Sequence, residues 1–289
     1  TGPKKILALD GGGIRGMATV EVLGQMEGML RKQLKKGPRF VLSDYFDLIA
    51  GTSTGAIIAT CLSLGMSVER VRRFYLDSGE EMFDRAFILK RYRYSYESEK
   101  LAKLLKKEIG TNTTLGSDNL KTLLLIVMRN ATTDSWWPLT NNPNAVFNST
   151  KRDDCNLKLP LWQLVRASTA APTYFPPEIV TVGKTDFMFV DGGVTMYNNP
   201  SFLSFLTATL PQYKIEWDTG TENLLLVSVG TGNNPTESSG MGTAGLLENA
   251  KNIPNALMYA ALNEQDMLCR VFGQCRTGHA LDLELGALK

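Results

Sequence analysis

Continuous apolar runs alternate with stretches of helical spacing along most of this chain. Residues 5–10 (Lys-Ile-Leu-Ala-Leu-Asp) form a short apolar run ended by an acid, the pattern of a strand buried on both faces of a parallel sheet. Residues 17–36 place Val20, Leu23, Met26, Leu30 and Leu34 at helical spacing, and Gly37-Pro38 stops that helix. The strand pattern returns at Asp47-Leu48-Ile49-Ala50, and small and β-branched residues then read as a helix. Residues 68–83 and 101–109 read as helices and 121–128 (KTLLLIVM) as a buried strand. Residues 130–156 are polar and rich in Asn, Thr, Pro and Trp; they predict a long loop with a strand near Ala145-Val146-Phe147. Trp136-Trp137 are expected to pack beneath that loop rather than touch a membrane. Residues 161–171 read as a short helix ended by Pro172, and 187–190 as a strand with Asp191 at its end. Asn199-Pro200 opens a helix to Leu210, and 224–229 is the last clear strand. A Gly/Ser-rich loop over 230–245 leads to a mostly helical end, with Met258, Leu262 and Met267 expected in the core. The alternation predicts one α/β domain over residues 1–289, a central, largely parallel sheet flanked by helices on both faces. No internal repeat and no linker divides it.

The chemistry-bearing stretch is Gly51-Thr52-Ser53-Thr54-Gly55, between a strand and a helix. G-x-S-x-G in that setting is the nucleophile-elbow pattern, which needs residues without side chains beside a serine at the tip of so sharp a turn. The helix N-terminus places free N–H groups and a positive dipole end near the Ser53 hydroxyl.

Gly11-Gly12-Gly13-Ile14-Arg15-Gly16 also follows a strand and opens a helix, which is the G-x-G-x-x-G dinucleotide fingerprint. That fingerprint wants an acid ending the next strand about 20 residues on. Here that distance falls in the basic helical stretch Arg31-Lys32-Gln33-Leu34-Lys35-Lys36, and the next strand ends in the serine elbow. The other use of such a loop is to aim backbone N–H groups at an oxyanion. A nucleotide-binding module stays as the competing reading, and a dinucleotide titration tests it.

Three blocks, Asp10-Gly11-Gly12-Gly13-Ile14-Arg15-Gly16, Gly51-Thr52-Ser53-Thr54-Gly55 and Asp191-Gly192-Gly193, resemble the signature blocks of the patatin-like phospholipase family. Residues 167–176 (ASTAAPTYFP) are similar to a further family segment, and 223–232 to a later strand; beyond about residue 240 the resemblance fades. It implies a patatin-like hydrolase domain that cleaves phospholipid or lysophospholipid acyl esters through an acyl-Ser53 intermediate. It implies Ser53 as nucleophile, Asp191 as general base, and Gly11, Gly12 and Gly13 as the oxyanion hole. Arg15 extends from that loop, either to steady it or to meet a lipid phosphate. A general soluble esterase is the alternative activity, separated by an acyl-chain-length series. Bacterial proteins of this resemblance include membrane-degrading effectors, some in anti-phage systems triggered by cyclic nucleotides, so a small-molecule regulator of that kind enters as an expectation.

The single histidine, His279, allows a second mechanism. Ser53, Asp191 and His279 stand in the chain order of an α/β-hydrolase triad. Against that, only one clear strand precedes the elbow's own, and His279 lies in a loop-like Arg276-Thr277-Gly278-His279 stretch.

Composition narrows the partners. Lys plus Arg number 31 and Asp plus Glu 29, a net charge of +2, so bulk charge gives no sign of a nucleic-acid polymer as partner. The four cysteines, Cys61, Cys155, Cys269 and Cys275, form no C-x-x-C pair, and no metal-ligand cluster is visible; no cofactor and calcium independence are expected. Cys61 is read as a small core residue. No apolar run is long enough to span a bilayer and no signal peptide precedes the first strand, so a cytoplasmic protein acting peripherally at the membrane surface is expected. Residues 84–110 interleave bases with aromatics (Phe87 to Tyr96) before a lysine-bearing helix. They read either as a rim meeting anionic headgroups or, preferably, as a packed loop and a solvated helix face.

Overall fold

A computed structural model of the chain describes residues 2–83, 94–172, 175–232 and 246–278. Strand β1 (Lys4–Leu9) leads through a glycine turn into α1 (Gly16–Gln33). Strand β2 (Leu48–Thr52) runs into α2 (Thr54–Ser63), followed by α3 (Val68–Phe83) and α4 (Tyr94–Ile109). Then come β3 (Leu123–Asn130), β4 (Ser135–Thr140), α5 (Leu161–Ser168), β5 (Glu178–Val182), β6 (Thr185–Asp191), α6 (Ser201–Thr209), β7 (Leu224–Val229) and α7 (Leu246–Phe272).

The sheet order is β5-β6-β3-β2-β1-β7, with β4 also on β3. Strands β7, β1, β2 and β3 run parallel to one another, whereas β4 and β6 both pair with β3 antiparallel. Side chains alternate across the parallel strands. Leu7, Leu9, Ile49, Leu124 and Ile126 face a large core built with helices α1 to α5, while Ile6, Leu48, Ala50, Leu125 and Val127 face a smaller one with Leu203 and Ala208 of α6. Both faces are therefore dry, which is why these strands read as unbroken apolar runs.

The register on β3 positions everything that follows. Val127 pairs with Thr52 on one edge and Pro138 on the other; Arg129 pairs with Val190 and Trp136. Strand β4 thus owns one edge, and β2 and β6 meet end to end along the opposite one. Thr52 stands across from Val127 and Asp191 across from Met128.

Several expectations need correction. The strand expected near Ala145-Val146-Phe147 is a 3-10 turn, Val146–Asn148, with Val146 and Phe147 half exposed. The loop's real strand is β4, which carries Trp136 and Trp137; Trp137 packs against Phe187 and Phe189 with ring centroids 5.1 Å away in each case. Strand β5 was not expected at all. On α7, Met267 is 36% exposed, Met258 and Leu262 are partly buried, and Gln265 is buried. Of the basic–aromatic stretch, residues 84–93 lie outside the described residues. The helix after it buries Leu101, Leu105 and Ile109, exposes Lys103 and Lys107, and lays Lys106 over the Trp162 ring. Cys61 is buried, as expected.

Candidate active site

The elbow is built by close approach. Ser53 sits at φ 54°, ψ −123°, a backbone geometry that a non-glycine residue adopts only under constraint from its surroundings. A Cβ on Gly51 would fall 2.1 Å from the Gly55 carbonyl oxygen, and one on Gly55 would fall 2.2 Å from that of Leu9. These two glycines let the turn close on itself and let α2 begin against the end of β1. Ser53 is 9% exposed, and its N–H donates to Ser168 Oγ at 2.9 Å. Ser168 Oγ in turn donates to the Val127 carbonyl at 2.6 Å, so one buried hydroxyl ties elbow, β3 and the end of α5 together.

Asp191 ends β6 opposite Met128, beside the elbow. The Ser53 hydroxyl donates to its Oδ2 at 2.7 Å, the Gly193 N–H donates to Oδ1 at 2.6 Å, and the Asp191 N–H donates to the Ala170 carbonyl at 2.9 Å. Burial pushes this carboxyl up to about 6; the bonds from Ser53 and Gly193 and the Arg166 guanidinium hold it back only in part. Arg166, fully buried, donates to the Pro176 carbonyl and lies over the Phe175 ring.

The glycine loop lies against Ser53. A Cβ on Gly11 would be 3.2 Å from Ser53 Cβ. The Gly11 N–H, however, donates to the Asn198 carbonyl at 2.9 Å, so it is not available to an oxyanion. Among the described residues the N–H groups of Gly12 and Gly13 have no acceptor; Gly13 takes a positive φ of 58°. The far side of the loop rests on the residues after β7. A Cβ on Gly12 would strike Thr231, Thr19 Oγ1 donates to the Gly230 carbonyl, and exposed Arg15 reaches the Gly232 carbonyl at 3.3 Å. Arg15 therefore braces the loop with its side chain. A dinucleotide site would need this loop open, whereas Ser53, Asn198 and Thr231 occupy its surroundings. Asp10, directly before the loop, is buried and held well above the usual carboxylate range by burial and then by Asp266.

Ser53 and Asp191 are thus in contact, Gly11, Gly12 and Gly13 are adjacent, and the Arg15 guanidinium meets the Gly232 carbonyl. His279 lies outside the described residues. Ser168 and Arg166 carried no role in the sequence reading, although both lie in or beside the ASTAAPTYFP block, the one signal that marked them. No group of three or more potential metal ligands occurs among the described residues, and none of their helices is long and apolar enough to cross a membrane.

A strand–serine–helix elbow, an aspartate bonded to the serine hydroxyl and a glycine loop thus lie side by side. The model of the patatin-like phospholipase family matches residues 7–203, and the chain belongs to that family. A cGAMP-activated phospholipase of Vibrio cholerae serotype O1 is 32% identical over 211 residues, 69% of this chain and 56% of the relative. A protein of the same description from Escherichia coli is 29% identical over 78% of this chain and 62% of the relative. Patatin-T5 of Solanum tuberosum is 26% identical over 78% and 60%. The chain spans little more than half the length of these relatives.

Proposed function

We propose that this chain hydrolyses acyl esters of membrane phospholipids at the membrane surface, with Ser53 as nucleophile and Asp191 as general base. The observation that carries the reading is the 2.7 Å hydrogen bond from Ser53 Oγ to Asp191 Oδ2 at the tip of the elbow. A triad would interpose an imidazole between these groups, and a direct bond leaves no space for one. A carboxyl raised to about 6 is still ionised at neutral pH, yet is a stronger base than an ordinary aspartate.

Ser53 Oγ attacks the ester carbonyl as its proton passes to Asp191. The N–H groups of Gly12 and Gly13 hold the oxyanion, and the departing alcohol takes the proton from Asp191 as the C–O bond breaks. Water then attacks the acyl-serine, gives its proton to Asp191, and the proton returns to Ser53 Oγ as the fatty acid leaves. The activation named in two relatives extends the proposal to control by a cyclic nucleotide such as cGAMP.

Fluorophosphonate labelling with peptide mapping tests the reading. Modification is expected at Ser53, with loss of hydrolysis in Ser53→Ala and a preference for long-chain phospholipid vesicles over short soluble esters. Substantial turnover by a folded Ser53→Ala protein would sink it. Hydrolysis measured with and without cGAMP tests the regulator separately.

A further inference from the structure

Asn198 is the polar side chain at the reaction centre that this chemistry leaves unused. It is 6% exposed, and its Oδ1 is buried without a hydrogen-bond partner. Such an atom calls for an explanation, because buried polar groups are nearly always paired. Here Oδ1 is wedged between two loops: a Cβ on Gly11 would stand 2.2 Å from it and one on Gly193 2.9 Å. The same two points lie 3.2 Å from Ser53 Cβ and 2.9 Å from Asp191 Oδ1. Asn198 Oδ1 is therefore within about 5.4 Å of Ser53 Cβ and about 5.8 Å of Asp191 Oδ1. Its backbone carbonyl meanwhile takes the Gly11 N–H.

We infer that Asn198 is a positioning residue whose carboxamide sets the gap between the glycine loop and the Asp191 loop, and so the aim of the Gly12 and Gly13 N–H groups at an acyl carbonyl on Ser53. The inference rests on Ser53 and Asp191 being the catalytic pair. Oxyanion donors act over a narrow range of distance, so a gap that relaxes by an ångström costs rate without costing substrate affinity. A carboxylate in place of the amide would keep the wedge's shape but stand within reach of Asp191, and a like charge opposes its ionisation. The charged group that Asp191 feels among the described residues is Arg166 of α5, itself facing Glu178 of β5. Strand β3 and helix α7 present Met128 and Met258 on their sides, neither of which titrates.

The test compares the full chain with Asn198→Ala and Asn198→Asp in soluble-ester kinetics, fluorophosphonate labelling rate and pH–rate profile. Asn198→Ala should keep KM within about twofold and lose about 10- to 100-fold in kcat and labelling rate. Asn198→Asp should move the acidic limb of kcat/KM upward by about half a pH unit or more, a shift that a merely structural role would not produce. Wild-type kcat in Asn198→Ala, or an unmoved limb in a folded Asn198→Asp, overturns the inference. If Asn198→Ala does not fold, Asn198→Ser replaces it and the limb in Asn198→Asp decides. Ser53→Ala, run alongside, separates the levels. Activity there removes the catalytic pair itself, whereas an inactive Ser53→Ala beside unaltered Asn198 variants removes only this inference.

Discussion

Thr52 and Asp191 stand opposite consecutive residues of β3, Val127 and Met128, on the same edge of that strand. One strand arrives from each direction, and Ser53 follows Thr52 directly. Ser53 and Asp191, 138 positions apart in sequence, thus meet at a junction fixed by backbone hydrogen bonds, before any side chain contributes.

The dyad and the triad part company in two variants. Asp191→Asn keeps the shape of the carboxylate but cannot take the Ser53 proton, and should lose nearly all turnover. His279→Ala should retain most of it. Steady-state rates on a soluble ester decide, and a folded, inactive His279→Ala protein would reinstate the triad.

The pH–rate profile of kcat/KM should rise through about pH 6 as Asp191 ionises. Arg166→Gln withdraws a positive charge that favours the ionised form, so its acidic limb should move to higher pH. A limb that stays in place would mean another group sets it.

Stability should move opposite to activity. The Asp191 carboxyl is raised from 3.8 to about 6 in the folded chain, so the native state binds more protons than the unfolded one across that window. Folding stability is lost as pH rises through it, by on the order of 3 kcal/mol, and stays lost above it. Asp191→Asn escapes this cost. Its melting temperature should exceed wild type at pH 8, with the difference shrinking toward pH 4.

Ser168→Ala removes both the acceptor for the Ser53 N–H and the donor to Val127. With two buried groups left unpaired, a loss of about 2–4 kcal/mol in urea unfolding is expected, with a fall in kcat larger than any change in KM. An unchanged kcat would show that β3 and Gly55 alone hold the elbow.

Glycines should divide by what surrounds them. Gly55→Ala drives a methyl group into the Leu9 carbonyl and should prevent stable folding. Gly28→Ala, on the exposed face of α1 with nothing within 4 Å, should stabilise by about 0.5–1 kcal/mol. Thermal melts of the two variants give the answer directly.

The parallel strands and the elbow were legible because dry strands are apolar end to end and because glycines must flank a tight turn. Strand β5 was not: Ile179 and Thr181 face outward, Glu178 begins it, and only Val180 and Val182 are buried. Strand β4 was hidden by Pro138, tolerable because β4 is an edge strand, while the apolar Val146 and Phe147 drew the assignment into an exposed turn. Ser53 and Asp191 announced themselves through neighbouring glycines. Ser168, Arg166 and Asn198 did not, because their contacts arise only when α5 and the segment after Asp191 fold back onto β3 and the glycine loop.

The end-to-end meeting of β2 and β6 divides Ser53 and Asp191 between two mechanical parts. Ser53 belongs to the parallel frame, Asp191 to a β5–β6 hairpin whose outer strand closes the sheet on that side. One residue of travel along β3 is about 3.4 Å, more than enough to part a bonded hydroxyl and carboxylate. A shift of the hairpin along β3 would therefore part the two side chains even with the parallel strands unmoved.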